Sequence, residues 1–481
     1  MSKLIVVSNR VNFPNPNGQS AGGLGVALQD ALNEIGGIWL GWNGEQIENH
    51  EAQYFHHQQF SPIEYITCPL TQQQYQEYYC GFANKSLWPA MHDRDDLMEF
   101  HSQEYHTYQE VNQMFAHQLS LVAEENDMIW IHDYHFMSVA HYCRELGMTN
   151  RFGFFLHIPF AGTDIWSQIP VAEQLIGHLS QYDVLGLQTE NDQKQCTEVL
   201  HYYMGGHIVD DILVTSERQV KIQAYPIGVN PDLIQKTAEV AEHEIEQPVF
   251  EFDALENQKT IIAVDRIDYS KGLIERFNAF AEFLKLHPEY HQAVTDLQIA
   301  CPCRMDIPAY EALFKAVQRK VQAINAQFAQ DQWAPINCTH QTVAHAQLMN
   351  IYRKSDICWV NSLKDGMNLV AKEFVAAQDP DDPGVLILSK YAGSADQMSE
   401  ALIVDPSSKQ SMVSALRIAL KMSRAERIER YKSLMKGLKS FDIHAWRNAF
   451  LKDLKHINST LLEYPRYKAP QFYSHYRGLR N

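Results

Sequence analysis

Thr260-Ile-Ile-Ala-Val264, then Asp265-Arg-Ile-Asp-Tyr-Ser-Lys-Gly272, then Leu273 through Leu284, is the stretch whose reading decides the fold. The first run is apolar and β-branched without alternation, as in a strand of a parallel sheet covered on both faces. A polar turn closed by glycine follows. Leu273, Phe277, Phe280 and Leu284 are then spaced to fall on one helix face. Comparable apolar runs recur at Leu4–Ser8, Met128–His132, Phe152–Ile158 and Val184–Gln188, and again at Leu297–Ala300, Ile357–Val360, Val385–Ser389 and Ala401–Val404. Strand and helix alternating on this scale imply a doubly wound α/β protein. At 481 residues the chain exceeds what one core usually serves. Tyr225-Pro-Ile-Gly-Val-Asn-Pro231 carries turn chemistry, and an acidic, weakly patterned stretch runs from Glu242 to Glu256. The expectation is therefore α/β with two Rossmann-like lobes, residues 1–235 and 236–455, and a cleft between them. A tail over 456–481, rich in Tyr, Arg and Pro, can return to the first lobe.

Composition removes several function classes. A formal net charge of −18 argues against a nucleic-acid binder, which needs a basic stripe, and against an anionic membrane surface. No stretch approaches the ~18–20 apolar residues of a membrane span, and the start runs straight into strand-like sequence rather than a signal peptide. The eight cysteines are scattered with no C-x-x-C pair, and Cys301 and Cys303 are too close for ordinary zinc spacing. Buried reduced thiols in a cytoplasmic protein fit that pattern.

Five segments carry chemistry. Ser8-Asn-Arg10, a loop, then Ala21-Gly22-Gly23-Leu24 give strand, paired glycines and a helix with Leu28, Ala31, Leu32 and Ile35 on its face, ended by Gly36-Gly37. Such a helix start suits an anion, although paired glycines also serve as a plain turn. Ile131-His132-Asp133-Tyr134-His135 puts polar groups at a strand's carboxyl end. His132, Asp133 and His135 are potential metal ligands, but neighbours in a strand project to different sides, so a carboxylate that binds a sugar hydroxyl fits better than a metal. His157 ends another strand before Pro159; it is either a core histidine or a site residue. Arg266 and Lys271 bracket a strand-to-helix turn and suit a pyrophosphate, with salt bridges to Asp265 and Asp268 as the competing reading. Asp365-Gly366-Met367-Asn368-Leu369-Val370-Ala371-Lys372-Glu373 opens an apolar helix. Its N–H groups suit a sugar phosphate and Glu373 a ribose, with a salt bridge as the alternative for Glu373.

In this order, and with the runs Ile129-Trp-Ile-His-Asp-Tyr-His135, Gly186-Leu-Gln-Thr-Glu-Asn-Asp192 and Asp365 through Asp379, the chain resembles the trehalose-6-phosphate synthase family of two-lobed (GT-B) retaining glycosyltransferases, from about Leu4 to His456. The resemblance implies transfer of glucose from UDP-glucose to glucose 6-phosphate, giving α,α-trehalose 6-phosphate and UDP, a step of trehalose biosynthesis that serves protection under osmotic and desiccation stress. It implies no cofactor and no metal, and leaves association with further copies open. Carried over, the acceptor set is Arg10, Trp42, Tyr79, Trp88, Asp133 and Arg304. The donor set is Gly22, Gly23, His157, Arg266, Lys271, Val343 (at uracil, through its backbone), Asp365, Gly366, Met367, Asn368, Leu369, Val370 and Glu373. The catalytic group is Arg266, Lys271, Asp133, His157 and Asp365. Two departures stand out: Pro302-Cys303-Arg304 where the family has Pro-Ser-Arg, and Ala161-Gly-Thr-Asp-Ile-Trp166 where it has Pro-x-x-Glu-Ile-Phe. Two other readings remain: a synthase using glycerol 3-phosphate, and a silent sugar-phosphate sensor.

Overall fold

The computed structural model describes residues 2–11, 23–49, 53–216, 218–241, 249–250, 252 and 258–457. Gly22 and the tail from 458 lie outside the described residues. The strands are β1 (Leu4–Arg10), β2 (Gly37–Ile47), β3 (His56–Phe60), β4 (Ile63–Thr71), β5 (Met128–His132), β6 (Arg151–Phe155), β7 (Val184–Leu187), β8 (His207–Val209), β9 (Ile212–Val214) and β10 (Gln219–Ala224). A second set follows: β11 (Lys259–Arg266), β12 (Val294–Cys301), β13 (Ile336–Thr339), β14 (Ile357–Val360), β15 (Val385–Ser389) and β16 (Leu402–Val404).

They form two sheets. The first has the order β3-β4-β2-β1-β5-β6-β7-β10-β9-β8, parallel from β4 to β10 with antiparallel pairs at its edges. The second, β13-β12-β11-β14-β15-β16, is parallel throughout. Strand order reverses between β1 and β5 in one and between β11 and β14 in the other. At such a switch point the flanking helices part and leave a crevice beyond the carboxyl ends. Arg10 and His132 end the first pair of strands; Arg266 and Val360 end the second. The expected α/β fold with two Rossmann-like sheets is thus present, and it explains why the chemistry-bearing segments follow strands.

The helix Leu273–Leu286 buries Leu273, Phe277, Phe280 and Leu284 as its period requires. Gly36, at φ 77°, ends the helix Gly23–Ile35, whereas Gly37 already opens β2 rather than belonging to the terminator. The strand expected over Phe152–Ile158 ends at Phe155. After Tyr225–Asn230 the helix Pro231–Ala241 packs Ile234 and Ala238 with Met349 and Phe374 of the second half. The helix Ile443–His456 returns to the first sheet, where Trp446, Phe450 and Leu454 pack with Trp130 and Phe155. A Cβ at Gly153 would stand 2.6 Å from the Phe450 ring, so glycine in the strand is what lets this helix dock.

Candidate active site

The second sheet contributes a charged corner. Arg266 ends β11, exposed, and makes no ion pair among the described residues. The chain turns through Tyr269–Lys271, and Gly272 takes a left-handed conformation, φ 63°, before the next helix. Lys271 Nζ lies 2.5 Å from Asp365 Oδ2, which also accepts from Ser362 Oγ at 3.0 Å and Asn368 Nδ2 at 3.1 Å. Burial works against ionising Asp365, but Lys271 and these donors outweigh it and hold the carboxyl below its ordinary range. Asn368, at φ 73°, caps the helix Leu369–Ala377 by accepting from Ala371 N. The cap occupies the N–H of Ala371, and the N–H groups that precede it are the kind that suit an anion. Glu373, further along this helix, makes no ion pair among the described residues, and burial pushes its carboxyl up to about 7. The salt-bridge alternative therefore fails for Glu373. Arg266 and Lys271 make no salt bridge to Asp265 or Asp268 among the described residues: Asp265 pairs with Arg276, Asp268 with Arg304 and Lys271 with Asp365.

The first sheet contributes rings. Arg10, ending β1, lies over Trp42 at 5.1 Å. From Trp42, ring contacts run through Tyr79 (5.7 Å), His135 (5.8 Å) and Tyr134 (4.0 Å) to Trp88 (5.6 Å). At the far end Arg304 stacks on Trp88 at 3.9 Å, and Arg266 approaches the same ring at 5.5 Å. Two arginines from the two halves of the chain, Arg10 and Arg304, thus reach the same ring cluster. Arg304, itself at φ 50°, donates to Asp268 Oδ2 (3.1 Å), Tyr310 Oη (2.6 Å) and Tyr134 Oη (3.0 Å). Burial would raise Asp268, but Arg304 and Arg266 hold it near the bottom of the carboxylate range, at about 2. Cys303, where the resemblance leads one to expect serine, donates its thiol to Ile267 O at 3.4 Å. A serine hydroxyl could make the same bond, so the departure leaves the Arg304 turn in place.

Asp133 and His132 do not diverge as adjacent strand residues should. Asp133 leaves the strand at φ 75° and its carboxylate accepts from His157 N at 3.2 Å, while His132 Nδ1 meets His157 Nε2 at 3.0 Å. Both converge on His157 because the left-handed turn swings Asp133 round. Burial pushes the Asp133 carboxyl up to about 6 despite the His157 and Tyr134 N–H groups and the nearby arginines. His157 has both ring nitrogens engaged, the second with Gln188 Nε2 at 3.4 Å. No group of three or more His, Cys, Asp or Glu spaced to hold a metal occurs among the described residues.

The two halves touch here. A Cβ on Gly366 would overlap the His157 carbonyl, and Met367 packs with the first-sheet core. Lys364 pairs with Asp93 at 2.5 Å, and Tyr75 Oη donates to Asp306 at 2.8 Å. Of the residues expected at the site, Leu369 packs against both cores, Val370 is half-buried on its helix, and Gly23 stands at the start of its own. Val343 lies apart from these contacts, half-buried against the second core beyond β13. Tyr134, Asp268, Tyr310 and Ser362 were missed; only Tyr134 and Asp268 lay inside motifs already singled out.

The model of glycosyltransferase family 20 matches residues 3–456. A trehalose-6-phosphate synthase of Sodalis glossinidius is 40% identical over 460 residues, 95% of this chain and 97% of the relative. The crystal structure of an α,α-trehalose-phosphate synthase (UDP-forming) from Burkholderia xenovorans in complex with glucose-6-phosphate superposes with a TM-score of 0.90 at 39% identity, covering 94% of this chain and all of that one. The E. coli protein bound with UDP-2-fluoro glucose gives 0.89 at 38% identity over 95% of this chain and 100% of its own.

Proposed function

This chain belongs to glycosyltransferase family 20, and from that premise we propose that it moves glucose from UDP-glucose to glucose 6-phosphate with retention, giving α,α-trehalose 6-phosphate and UDP. The observation that carries the reading is a cluster of rings in the first half reached by Arg10 and by Arg304 of the second half, the same half that holds the Lys271–Asp365 corner. Aromatic faces bind the apolar faces of a hexose, and arginine forks match phosphate oxygens. A glycerol phosphate would leave most of that wall uncovered.

On this reading Arg10, Tyr79 and Arg304 hold the acceptor phosphate, and Trp42, Trp88 and Asp133 its sugar. Arg266 and Lys271 take the diphosphate, together with N–H groups of Gly366, Met367, Asn368, Leu369 and Val370; Glu373 accepts the ribose hydroxyls. The backbone of Val343 meets uracil, Asp365 and His157 address the donor glucose, and Gly22 and Gly23 border it. The acceptor's anomeric hydroxyl attacks the donor's anomeric carbon on the face from which the diphosphate leaves. The carbon–diphosphate bond breaks as the new glycosidic bond forms, and the hydroxyl proton passes to a diphosphate oxygen. Arg266 and Lys271 stabilise the charge growing on that diphosphate, the moment at which fixed cations count most. The first half forms the acceptor lobe and the second the donor lobe, which takes in the helix Pro231–Ala241, with the closing helix Ile443–His456 lent back to the first. The free thiols suit a cytoplasmic protein.

The test is an end-point assay pairing UDP-, ADP- and GDP-glucose with glucose 6-phosphate and glycerol 3-phosphate, the products identified by NMR. A non-reducing α,α-linked disaccharide phosphate, formed fastest from UDP-glucose, is expected. A glycerol glycoside, or binding without turnover, would overturn the reading.

A further inference from the structure

Beneath the donor end of the cleft, one line of hydrogen bonds crosses from the first sheet to the second. His132 Nδ1 meets His157 Nε2 at 3.0 Å, and His157 Nδ1 meets Gln188 Nε2 at 3.4 Å. Gln188 Oε1 accepts from Ile227 N at 3.1 Å. Ile227 O accepts from Lys372 Nζ at 2.6 Å, and the same ammonium donates to Gln397 Oε1 at 2.7 Å. The members come from the ends of β5, β6 and β7, the crossover into the second half, and the helix Leu369–Ala377.

The directions of these bonds are fixed by their ends. Ile227 offers only an N–H, so the Gln188 oxygen faces it and the amide nitrogen faces His157. His157 Nδ1 must then accept, its proton sits on Nε2, and His132 Nδ1 receives it. Both rings are neutral, as their surroundings require: burial takes His157 down to about 3 and His132 well below its ordinary range. Lys372 is 1% exposed and Gln188 2%. Burying a lysine nitrogen is costly, and an apolar side chain of like volume would fill the space at lower cost. What an apolar side chain could not do is donate to the Ile227 carbonyl. The next residue is Glu373, and the preceding Ala371 N–H is the one that Asn368 caps.

We propose that Lys372 and Gln188 are positioning residues which, through the backbone N–H and C=O of Ile227, set the donor helix against the His157 end of the first sheet. The proposal rests on the donor-site reading above. Neither residue touches substrate; each acts by placing Glu373 and the helix's opening N–H groups. The chain is in series, so breaking it at either residue releases the same contact.

The experiment uses the full chain with Lys372→Met, Gln188→Leu and the double variant. UDP affinity is read by titration calorimetry, KM and kcat are measured for both substrates, and folding is checked by thermal denaturation. Each single variant is expected to weaken UDP binding about tenfold, as for one lost buried hydrogen bond, with the KM for glucose 6-phosphate within about twofold of wild type. The double variant should lose no more than the weaker single one, because coupled residues are not additive. Folded single variants with wild-type UDP affinity, or additive losses in the double, would overturn the proposal. If Lys372→Met does not fold, Gln188→Leu decides alone by the same affinity criterion. A lowered melting temperature with unchanged UDP binding would mark a packing role only, and would also overturn it. Wild-type protein that fails to bind UDP would sink the donor-site reading itself, while wild-type protein that binds UDP without transferring glucose sinks only the proposed reaction; the two failures are distinguishable.

Discussion

The two ends of the cleft are built from different materials. The first-sheet end is a wall of rings gathered from Trp42, Tyr79, Trp88, Tyr134 and His135, with Arg10 brought to it from the first half and Arg304 from the second. The second-sheet end is compact and charged: Lys271 on its turn meets Asp365 just ahead of the helix that Asn368 caps and that carries Glu373. Rings bind by area, so each contributes a share. A cation–carboxylate corner works through a few fixed charges, so losing one should cost most of the function. The wall also depends on the two halves meeting, because Arg304 reaches Tyr134 and Trp88 only across the cleft, whereas Lys271 and Asp365 belong to the same half.

The largest test of this contrast is Lys271→Ala. Turnover should fall about 10³-fold, because the cation acts as the diphosphate departs, while the KM for glucose 6-phosphate barely changes. Near-normal kcat by steady-state assay would remove Lys271 from its assigned role. Arg304→Ala should cost about 3 kcal/mol in kcat/KM for glucose 6-phosphate, the scale of one desolvated charge pair, and leave UDP affinity alone. A loss confined to UDP binding would break the division between the two ends.

A smaller effect should come from Glu373. Burial raises its carboxyl to about 7 in the free protein, whereas ribose hydroxyls need the ionised form to accept. Binding UDP below that pH must therefore expel a proton, so affinity should fall by up to about tenfold per pH unit on the acid side and level off above it. Calorimetry of wild type against Glu373→Gln across that range isolates the effect: the difference should shrink as pH falls, and a parallel pH course would count against the role. Chelation should change least. Activity should survive EDTA, the cations of Arg266 and Lys271 taking the diphosphate charge; loss on chelation, restored by a divalent ion, would return His132, Asp133 and His135 to consideration.

The same contrast explains what the sequence made legible. The charged corner follows local rules: an apolar strand, a glycine-closed turn and an Asn-capped helix, each readable within ten or so residues. The ring wall does not. Trp42 sits in β2, whose opening Gly37 reads as a helix stop, and β3, His56–Phe60, is polar and largely exposed, giving no buried-strand signal. Tyr79 lies in a π-helical stretch, Tyr75–Leu87, kinked at Gly81, which has no helical period to detect. These positions came through the family resemblance rather than through pattern. Tyr134 and Lys372 stayed hidden because their partners are remote in sequence: Arg304 meets Tyr134 across 170 positions, and Lys372 meets Ile227 across 145.

The central claim is that the ring wall and its two arginines select a phosphorylated hexose by drawing the halves together around it. Measuring kcat/KM for glucose and for glucose 6-phosphate with saturating UDP-glucose tests this most directly. Glucose should be a very poor acceptor even at high concentration, since without the phosphate Arg10 and Arg304 have nothing to close upon. Equal use of the two acceptors would contradict the account, leaving no phosphate site at the wall and no trehalose 6-phosphate as product.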